Sequence, residues 1–248
     1  MKIIAIIPSR YASTRLPAKP LADICGKPMV QHVVEQAKRS ALITDVIVAT
    51  DDERIAAAVR AFGGTAVMTP EEIQSGSDRI ALVAKERPAD IIVNIQGDEP
   101  LIDPLLIDQT IRALIDDPKA VVSTAVKRTT AHQDIFNPNV VKVAMDAHGY
   151  ALYFSRSPIP HVRDVRKDDD WFKGTVFYKH FGIYVYRAAF LQQYTQLPQT
   201  PLESAEKLEQ LRILEHGHSI KCVVTEYESH PVDTPEDLQK VIHILQSR

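Results

Sequence analysis

Basic side chains are concentrated in residues 8–20, just after the first predicted β-strand. Arg10, Arg15 and Lys19 lie in this segment, and no carboxylate occurs before Asp23. The planar guanidinium fork and the lysine ammonium both suit phosphoryl oxygens. From the residues alone, a phosphate-binding loop and a solvated basic loop stay equally open, because short motifs also arise by chance.

The usual glycine-rich phosphate motifs are absent from this sequence. The chain has nine glycines, and none of them forms the G-x-G-x-x-G pattern or the G-x-x-x-x-G-K-[ST] pattern. If residues 8–20 bind phosphates, side chains rather than a nest of backbone amides must hold them.

Two carboxylates follow predicted strands elsewhere in the chain. Asp98 lies in QGDEP at residues 96–100, and Asp233 lies in PVDTP at residues 231–235. Mg²⁺ prefers one or two carboxylates together with phosphates and water. Taken singly, Asp98 also fits a polar turn and Asp233 fits the electrostatics of a helix start. If the strands are ordered as in other doubly wound sheets, both converge on one metal site opposite the basic loop.

Other polar residues have simpler interpretations. His180 and Tyr184 are predicted to lie on the same face of a strand. The simplest interpretation is that both are partly buried sheet residues with satisfied hydrogen bonds. Arg156 pairs either with a substrate carboxylate or with a nearby Asp. Residues 168–170, three consecutive Asp, are typical of a solvated run.

The first half of the sequence predicts an α/β fold with a mainly parallel sheet and helices on both faces. Short apolar runs alternate with segments of helical period, and continuous apolar character is typical of strands buried on both faces. We predict strands at residues 2–7, 45–50, 65–69, 90–95 and 120–126, and helices at residues 29–40, 52–62, 77–87 and 104–116.

The second half predicts an antiparallel excursion from that sheet, at about residues 140–190. Residues 140–146, 150–154 and 181–186 alternate in polarity, as antiparallel strands do. A helix at 202–216, a strand at 220–227 and a helix beginning at Pro235, with a Thr234/Asp237 capping box, complete the chain. Because no repeat or linker interrupts it, we expect residues 1–248 to form a single domain.

The composition excludes several classes of protein. The formal net charge of -3 argues against a general nucleic-acid binder. Cys25 and Cys222 show no disulfide spacing, which is typical of a cytoplasmic protein. The apolar run at residues 3–7 is too short for a signal peptide, and no segment is long enough to enter a membrane. We therefore expect a soluble cytoplasmic protein.

Seven blocks spread along the chain form a specific combination. They are SRYASTRLPAKPL at 9–21, QSGSDR at 74–79, QGDEP at 96–100, GYALYFSR at 149–156, KHFGIY at 179–184, EKLEQLR at 206–212 and VDTPEDL at 232–238. In this order they resemble the CMP-Kdo synthetases, also called 3-deoxy-D-manno-octulosonate cytidylyltransferases. The resemblance implies a Rossmann-like nucleotide-diphospho-sugar transferase fold, and a homodimer in contact near residues 140–190. Ala18 stands where this family usually has glycine, so the tip of the basic loop is expected to differ slightly in shape.

The resemblance also implies a reaction and a set of site residues. CTP and Kdo give CMP-Kdo and pyrophosphate, for bacterial lipopolysaccharide biosynthesis, with Mg²⁺ on Asp98 and Asp233. The residues implied at the triphosphate are Arg10, Arg15 and Lys19; those at the nucleoside are Gln74, Ser77, Arg79 and Gln96; those at the sugar are Arg156, His180, Tyr184, Glu209 and Gln210. The alternatives are activation of another acidic sugar, such as 8-amino-Kdo or sialic acid, and a non-catalytic nucleotide-binding module.

Overall fold

The computed structural model describes residues 1–12, 16–73, 75–163 and 171–247. Its strands are β1 (Ile3–Ser9), β2 (Asp23–Ile24), β3 (Lys27–Pro28), β4 (Asp45–Thr50), β5 (Thr65–Met68), β6 (Ile91–Asn94), β7 (Val122–Thr129), β8 (Lys142–Met145), β9 (Ala151–Ser155), β10 (Phe177–Arg187) and β11 (Ile220–Val224). Its helices are α1 (Met29–Lys38), α2 (Glu53–Ala61), α3 (Gly76–Glu86), α4 (Pro104–Ile115), α5 (His132–Phe136), α6 (Ala188–Tyr194), α7 (Pro201–Glu206), α8 (Gln210–Glu215) and α9 (Pro235–Gln246).

The main sheet confirms the predicted α/β class. Its strands run in the order β11-β7-β10-β6-β1-β4-β5. Strands β6, β1, β4 and β5 are parallel neighbours, and β11 is parallel to β7. The carboxyl ends of these parallel strands meet at one edge, where ligands bind in open α/β sheets.

The position of β10 differs from the predicted excursion. It lies inside the main sheet, antiparallel to both β6 and β7, whereas β8 and β9 lie off the main path and β2 and β3 form a separate two-stranded sheet. Phe181, Ile183 and Val185 of β10 pack in one core layer, and Tyr184 and Tyr186 pack in the other, so both faces of the strand are covered. Alternation describes the two faces of a strand but not its neighbours, which long-range packing decides.

Helices cover both faces of the sheet, as predicted. Odd-numbered apolar residues of β1 pack with α1 and α4, whereas even-numbered residues pack with α3, α6 and α8. The first layer includes Ile3, Ala5, Ile7, Val30, Val33, Ile107 and Ile111; the second includes Ile4, Ile6, Ile80, Phe190, Leu191 and Leu211. This alternation buries both faces of a central strand.

The predicted helix at residues 202–216 is in fact two short helices, α7 and α8. Lys207 ends α7 in the left-handed conformation, with φ 53°. The turn directs Leu208 into the core and leaves Glu209 at the start of α8. The apolar periodicity continues across the break, which is why the sequence predicted one helix.

The predicted start of α9 is confirmed. Thr234 and Asp237 form a reciprocal capping box, and Pro235 occupies the first turn. Within the described ranges, no helix combines the length and the apolar character that crossing a membrane requires.

Candidate active site

Lys19 lies between the two carboxylates that the sequence predicted to converge. Its Nζ donates hydrogen bonds to Asp98 Oδ2 at 2.7 Å and to Asp233 Oδ1 at 3.1 Å. Asp98 follows β6 and Asp233 precedes α9, and a backbone hydrogen bond from Val232 N to Asp98 O, 2.9 Å long, joins their loops. The convergence of Asp98 and Asp233 beside the basic loop is therefore confirmed as geometry.

A tight turn directs Lys19 toward these carboxylates. Lys19 begins a single 3₁₀ turn, and Leu21 N donates to Ala18 O at 2.8 Å. Ala18 has φ 55°, so this alanine adopts the left-handed conformation that glycine favours. The backbone strain at Ala18 thus lies directly before the central cation of the site.

In this cluster one ammonium faces two carboxylates. Burial lowers the pKa of Lys19, but Asp98 and Asp233 raise it by more, so the net pKa is above the ordinary lysine value. Next to them, burial raises the pKa of Glu99 to about 7, and Ser229 donates a hydrogen bond to its carboxylate. In the described ranges, no three His, Cys, Asp or Glu side chains form a metal-binding group. A cation here would rest on two carboxylates, as Mg²⁺ often does.

Arg10 and Arg79 both approach Asp51, but only Arg10 is accessible. Arg10 Nε lies 3.8 Å from Asp51 Oδ2, with its side chain 35% exposed. Arg79 has no exposed surface; its Nη2 donates to Asp51 Oδ2 at 2.7 Å, and Nη1 bonds the Thr69 hydroxyl. The Arg79 guanidinium is thus enclosed below the surface, and the assignment of Arg79 to the nucleoside stays a prediction.

Two residues of the predicted site, Arg15 and Gln74, lie outside the described residues. The predicted acidic run at 168–170 lies outside them as well.

A cavity of about 180 Å³ opens at the carboxyl edge of the sheet. It is lined by Gly76, Ser77, Asn94, Gln96, Tyr184, Tyr186, Tyr194, Lys207, Leu208, Glu209 and Gln210. The structure thus brings together Ser77 and Gln96, predicted at the nucleoside, with three residues predicted at the sugar.

Hydrogen bonds join the two sides of this small cavity. Ser77 Oγ donates to Glu209 Oε2 at 2.8 Å, and Ser75 Oγ donates to the same oxygen at 3.1 Å. Gln96 Nε2 donates to Gly182 O at 3.2 Å. Gln210 is buried rather than lying at a solvent-facing edge. The hydroxyls of Ser75 and Ser77, at the start of α3, orient the Glu209 carboxylate.

His180 lies behind Tyr184 and does not line the small cavity. Its ring is 5.4 Å from that of Tyr184 and 5.0 Å from that of Phe154, and Nε2 is 2.8 Å from Thr124 Oγ1. Burial lowers the pKa of His180 to about 3, so the imidazole is neutral at physiological pH. Burial also raises the pKa of Tyr184 well above its ordinary value.

Arg156 lines a second, larger cavity of about 690 Å³, which Asp233 also lines. Its guanidinium donates to the carbonyl oxygens of Glu206 at 2.8 Å, Pro138 at 2.9 Å and Lys207 at 3.4 Å. Among the residues described, no carboxylate forms an ion pair with it. Arg156 is thus half-buried without an ion-paired carboxylate among the residues described, and its contact with Lys207 O brings it next to a residue that lines the small cavity.

Sequence reasoning missed two residues beside these cavities. Lys142 is fully buried, and its Nζ donates to the carbonyls of Asn137, Val140 and Arg156 at 2.9, 2.5 and 2.6 Å. Asn94, at the end of β6, lines the small cavity. In both cases the sequence shows a polar residue inside an otherwise apolar strand, and this pattern could have identified them.

Comparisons with known proteins agree with this architecture. Residues 4–220 match the family model described as cytidylyltransferase. The chain is 57% identical to the 3-deoxy-manno-octulosonate cytidylyltransferase of Geotalea uraniireducens (strain Rf4), covering 99% of each chain. It is 54% identical to the 3-deoxy-manno-octulosonate cytidylyltransferase of Geobacter sulfurreducens, covering 99% of this chain and 100% of the other. A solved CMP:2-keto-3-deoxy-manno-octonic acid synthetase complexed with CTP superposes with a TM-score of 0.93 at 43% identity, covering 100% of this chain and 99% of the other.

Proposed function

This chain belongs to the cytidylyltransferase family, among the 3-deoxy-manno-octulosonate cytidylyltransferases, and from that premise we propose that it couples CTP to Kdo. The anomeric hydroxyl oxygen of Kdo attacks the α-phosphorus of CTP, the bond from that phosphorus to the bridging oxygen breaks, and pyrophosphate leaves. The hydroxyl proton passes to solvent, and CMP-Kdo is formed. The contact of Lys19 with both Asp98 and Asp233 carries this proposal.

Lys19 and Arg10 act on the triphosphate in this proposal. Lys19 lies at the carboxyl edge of the sheet with a raised pKa, so it stays an ammonium at the working pH. Arg10 follows the end of β1 and keeps part of its guanidinium accessible. Fixed donors of this kind stabilise charge that develops on the α-phosphate and on the departing pyrophosphate. Arg15 is assigned to the same group on the resemblance alone.

Asp98 and Asp233 fit Mg²⁺ by their chemistry. Two carboxylates already share one cation, the Lys19 ammonium, and each is partly exposed. Mg²⁺ on such a pair would supply Lewis-acid neutralisation of the phosphate oxygens. With the carboxylates engaged in this way, the Lys19 ammonium is available to donate to phosphoryl oxygens.

Residues assigned to the two substrates meet at the small cavity. Ser77, in the first turn of α3, and Gln96, which follows β6, are assigned to the nucleoside together with Gln74. Tyr184, Glu209 and Gln210 are assigned to the hydroxyls of the sugar, and His180 supports the Tyr184 ring.

Arg156 is assigned to the sugar carboxylate. A half-buried guanidinium whose neighbours are backbone carbonyls keeps a net positive charge, which suits an anionic substrate. The larger cavity, shared with Asp233, links this charge to the proposed metal residues.

A pyrophosphate-release assay tests the proposal. The purified chain is mixed with Mg²⁺, each of the four nucleoside triphosphates, and Kdo, 8-amino-Kdo or sialic acid. We expect release with CTP plus Kdo; release only with another acidic sugar supports the alternative activity. Binding of CTP without release for any sugar supports a non-catalytic module.

Two variants test the assigned residues in the same assay. Lys19→Ala and Asp98→Ala should each abolish most release, whereas Glu86→Ala, which removes an exposed carboxylate at the end of α3, should leave it unchanged. Near-normal activity of Asp98→Ala with Mg²⁺ contradicts the metal assignment.

We also propose a cytoplasmic homodimer that contacts through β9. This strand pairs with β8 only among the strands described, and Leu152 on it is 63% exposed. A strand that pairs on one side can add a second copy on its other side, where Leu152 would then be covered. Both cysteines are free, as in a reducing compartment. Sedimentation should give a dimer for the wild type and a monomer for Leu152→Glu; a wild-type monomer overturns this point.

A further inference from the structure

Asn94 places an unpaired polar group in the wall of the small cavity. It is the last residue of β6, opposite Ile6 of β1 and Tyr184 of β10. Its side chain is 2% exposed, and Oδ1 is buried without a hydrogen-bond partner among the described residues. The three residues before it, Ile91, Ile92 and Val93, belong to the apolar core.

Three of the polar side chains that line the cavity with Asn94 are already hydrogen-bonded. Ser77 Oγ donates to Glu209, Gln96 Nε2 donates to Gly182 O, and Tyr194 donates its hydroxyl proton to Glu209 O at 3.0 Å. Because more than nine in ten buried polar groups in proteins have a partner, an unpaired carboxamide here calls for an explanation. A ligand that enters the cavity supplies the missing partner.

The chemistry of the carboxamide narrows the class of ligand. An Asn side chain offers both an acceptor and donors, whichever way the amide is oriented. A hydroxyl also donates and accepts, so one hydroxyl can satisfy both directions. Carboxylates and phosphates without protons only accept, so with the amide oriented as in this structure they would leave Oδ1 unpaired.

The size and the walls of the cavity favour a sugar. Its volume of about 180 Å³ is below the range of roughly 300–1,000 Å³ for pockets that enclose larger ligands, so it takes one small polyol rather than a whole nucleotide. The rings of Tyr184, Tyr186 and Tyr194 stack in sequence, with centroids 6.0 and 6.1 Å apart. The face of a sugar ring that carries C–H groups can pack against this rigid apolar wall.

We propose that Asn94 is a specificity-determining residue of the acidic-sugar subsite, where its carboxamide hydrogen-bonds one hydroxyl of the sugar. The inference rests on the proposed function, because that function supplies the polyol. It adds a contact from the central strand β6 to those assigned on α8 and β10. In this proposal the sugar hydroxyl supplies the partner that Asn94 Oδ1 lacks among the described residues.

The variant Asn94→Leu tests this, because leucine has a similar shape and no polar atoms. Removing a polar group that is unpaired in the free protein should leave the unfolding midpoint unchanged or raise it. The KM for the sugar should rise by about tenfold or more, while the KM for CTP stays within about twofold. Thermal unfolding and steady-state kinetics with each substrate varied give both results.

A matched control separates this effect from a general loss of buried polarity. Thr110 on α4 is also fully buried, but its hydroxyl is paired with Leu106 O at 2.8 Å. Thr110→Val should lower stability and leave the KM for the sugar unchanged. In addition, one monodeoxy analogue of the sugar should have the same KM with the wild type and with Asn94→Leu, because it lacks the recognised hydroxyl.

Three outcomes overturn the inference. The first is an unchanged KM for the sugar in a folded Asn94→Leu, and the second is a rise in the CTP KM alone. The third is a marked loss of stability, since it shows that the carboxamide is already satisfied within the fold. In each case a wild type that turns over CTP and the sugar leaves the proposed function standing, whereas an inactive wild type contradicts that function itself.

Discussion

The Ser77 hydroxyl donates a hydrogen bond of 2.8 Å to Glu209 Oε2, between residues 132 positions apart in the chain. Ser77 lies in the first turn of α3, and Glu209 lies just before α8. The bond therefore joins the segment assigned to the nucleoside to the segment assigned to the sugar. A single carboxylate, fixed by two serine hydroxyls, couples the two halves of the small cavity.

Ser77→Ala should lower kcat/KM by about tenfold, mainly through a higher KM for the sugar. Hydrogen bonds to charged groups contribute about 1.5–3 kcal/mol, and the Ser75 hydroxyl retains part of the orientation of Glu209. Steady-state kinetics with each substrate varied measure the change. Ser123→Ala, which removes a buried hydroxyl paired with Thr110 O, is the control and should keep both KM values. An unchanged sugar KM in Ser77→Ala would show that Glu209 needs no such support.

Arg79→Met should destabilise the fold by about 3–5 kcal/mol, because it leaves the buried Asp51 carboxylate without its closest cation. Urea unfolding measures the loss. Lys19→Met is the contrasting variant: its carboxylate partners are partly exposed, so its unfolding free energy should change by about 1 kcal/mol or less while turnover collapses. If Arg79→Met proves stable and selectively weak for CTP, Arg79 acts on the nucleotide after all.

Ala18→Gly should stabilise the protein by about 0.5–1 kcal/mol. An alanine in the left-handed conformation costs about 1–2 kcal/mol, and glycine at this position removes that cost. Part of the benefit is lost because glycine also gives the unfolded chain more conformational entropy. Urea unfolding of both proteins gives the difference. Ala22→Gly is the control, because Ala22 has φ -56° and is not in the left-handed conformation. Glycine there only adds conformational entropy to the unfolded chain, so this variant should be less stable than the wild type. Loss of stability in both variants would contradict strain at Ala18.

Lys142→Met should remove a pH dependence of stability. Burial lowers the pKa of Lys142 to about 8, from 10.5, so between these values the unfolded chain binds more protons than the folded one. Below about pH 8 the buried ammonium lowers the free energy of unfolding by its full amount. As the pH rises from about 8 to 10.5, the free energy of unfolding increases by at most about 1.4 kcal/mol per pH unit. Urea unfolding at several pH values should show this slope in the wild type and not in the variant.

Arg187→Met is the matched control for that slope. Arg187 is also held by backbone carbonyls, those of Ala120, Leu114 and Asp117, but its guanidinium does not titrate in this range. The variant should lose stability equally at every pH. A slope that persists in Lys142→Met assigns the titration to another group.

Much of the fold could be predicted from local patterns. The strand Asp45–Thr50 has the predicted bounds, and α9 begins at Pro235 because its capping box lies within four consecutive residues. The predicted helices end within about two residues of the observed ends in the first half. Such features depend on neighbours in the chain, which the sequence displays directly.

The candidate site was predictable only in part. Lys19, Asp98 and Asp233 follow strand ends, so a parallel sheet brings them together by its topology. The burial of Arg79 was not predicted and Asn94 was overlooked, because the depth of a side chain depends on segments that are distant in the chain.

The sequence by itself determined the alternation of the five main strands and four helices in its first half, the basic loop and the two carboxylates that meet at Lys19. Only the tertiary structure decided that β10 lies inside the sheet, that Lys207 breaks a helix and that Arg79 and Lys142 are enclosed while Asn94 has no partner. Local periodicity reports which residues prefer to avoid water. Which polar atoms actually lose water, and which partners replace it, depends on segments far apart in the chain that pack together.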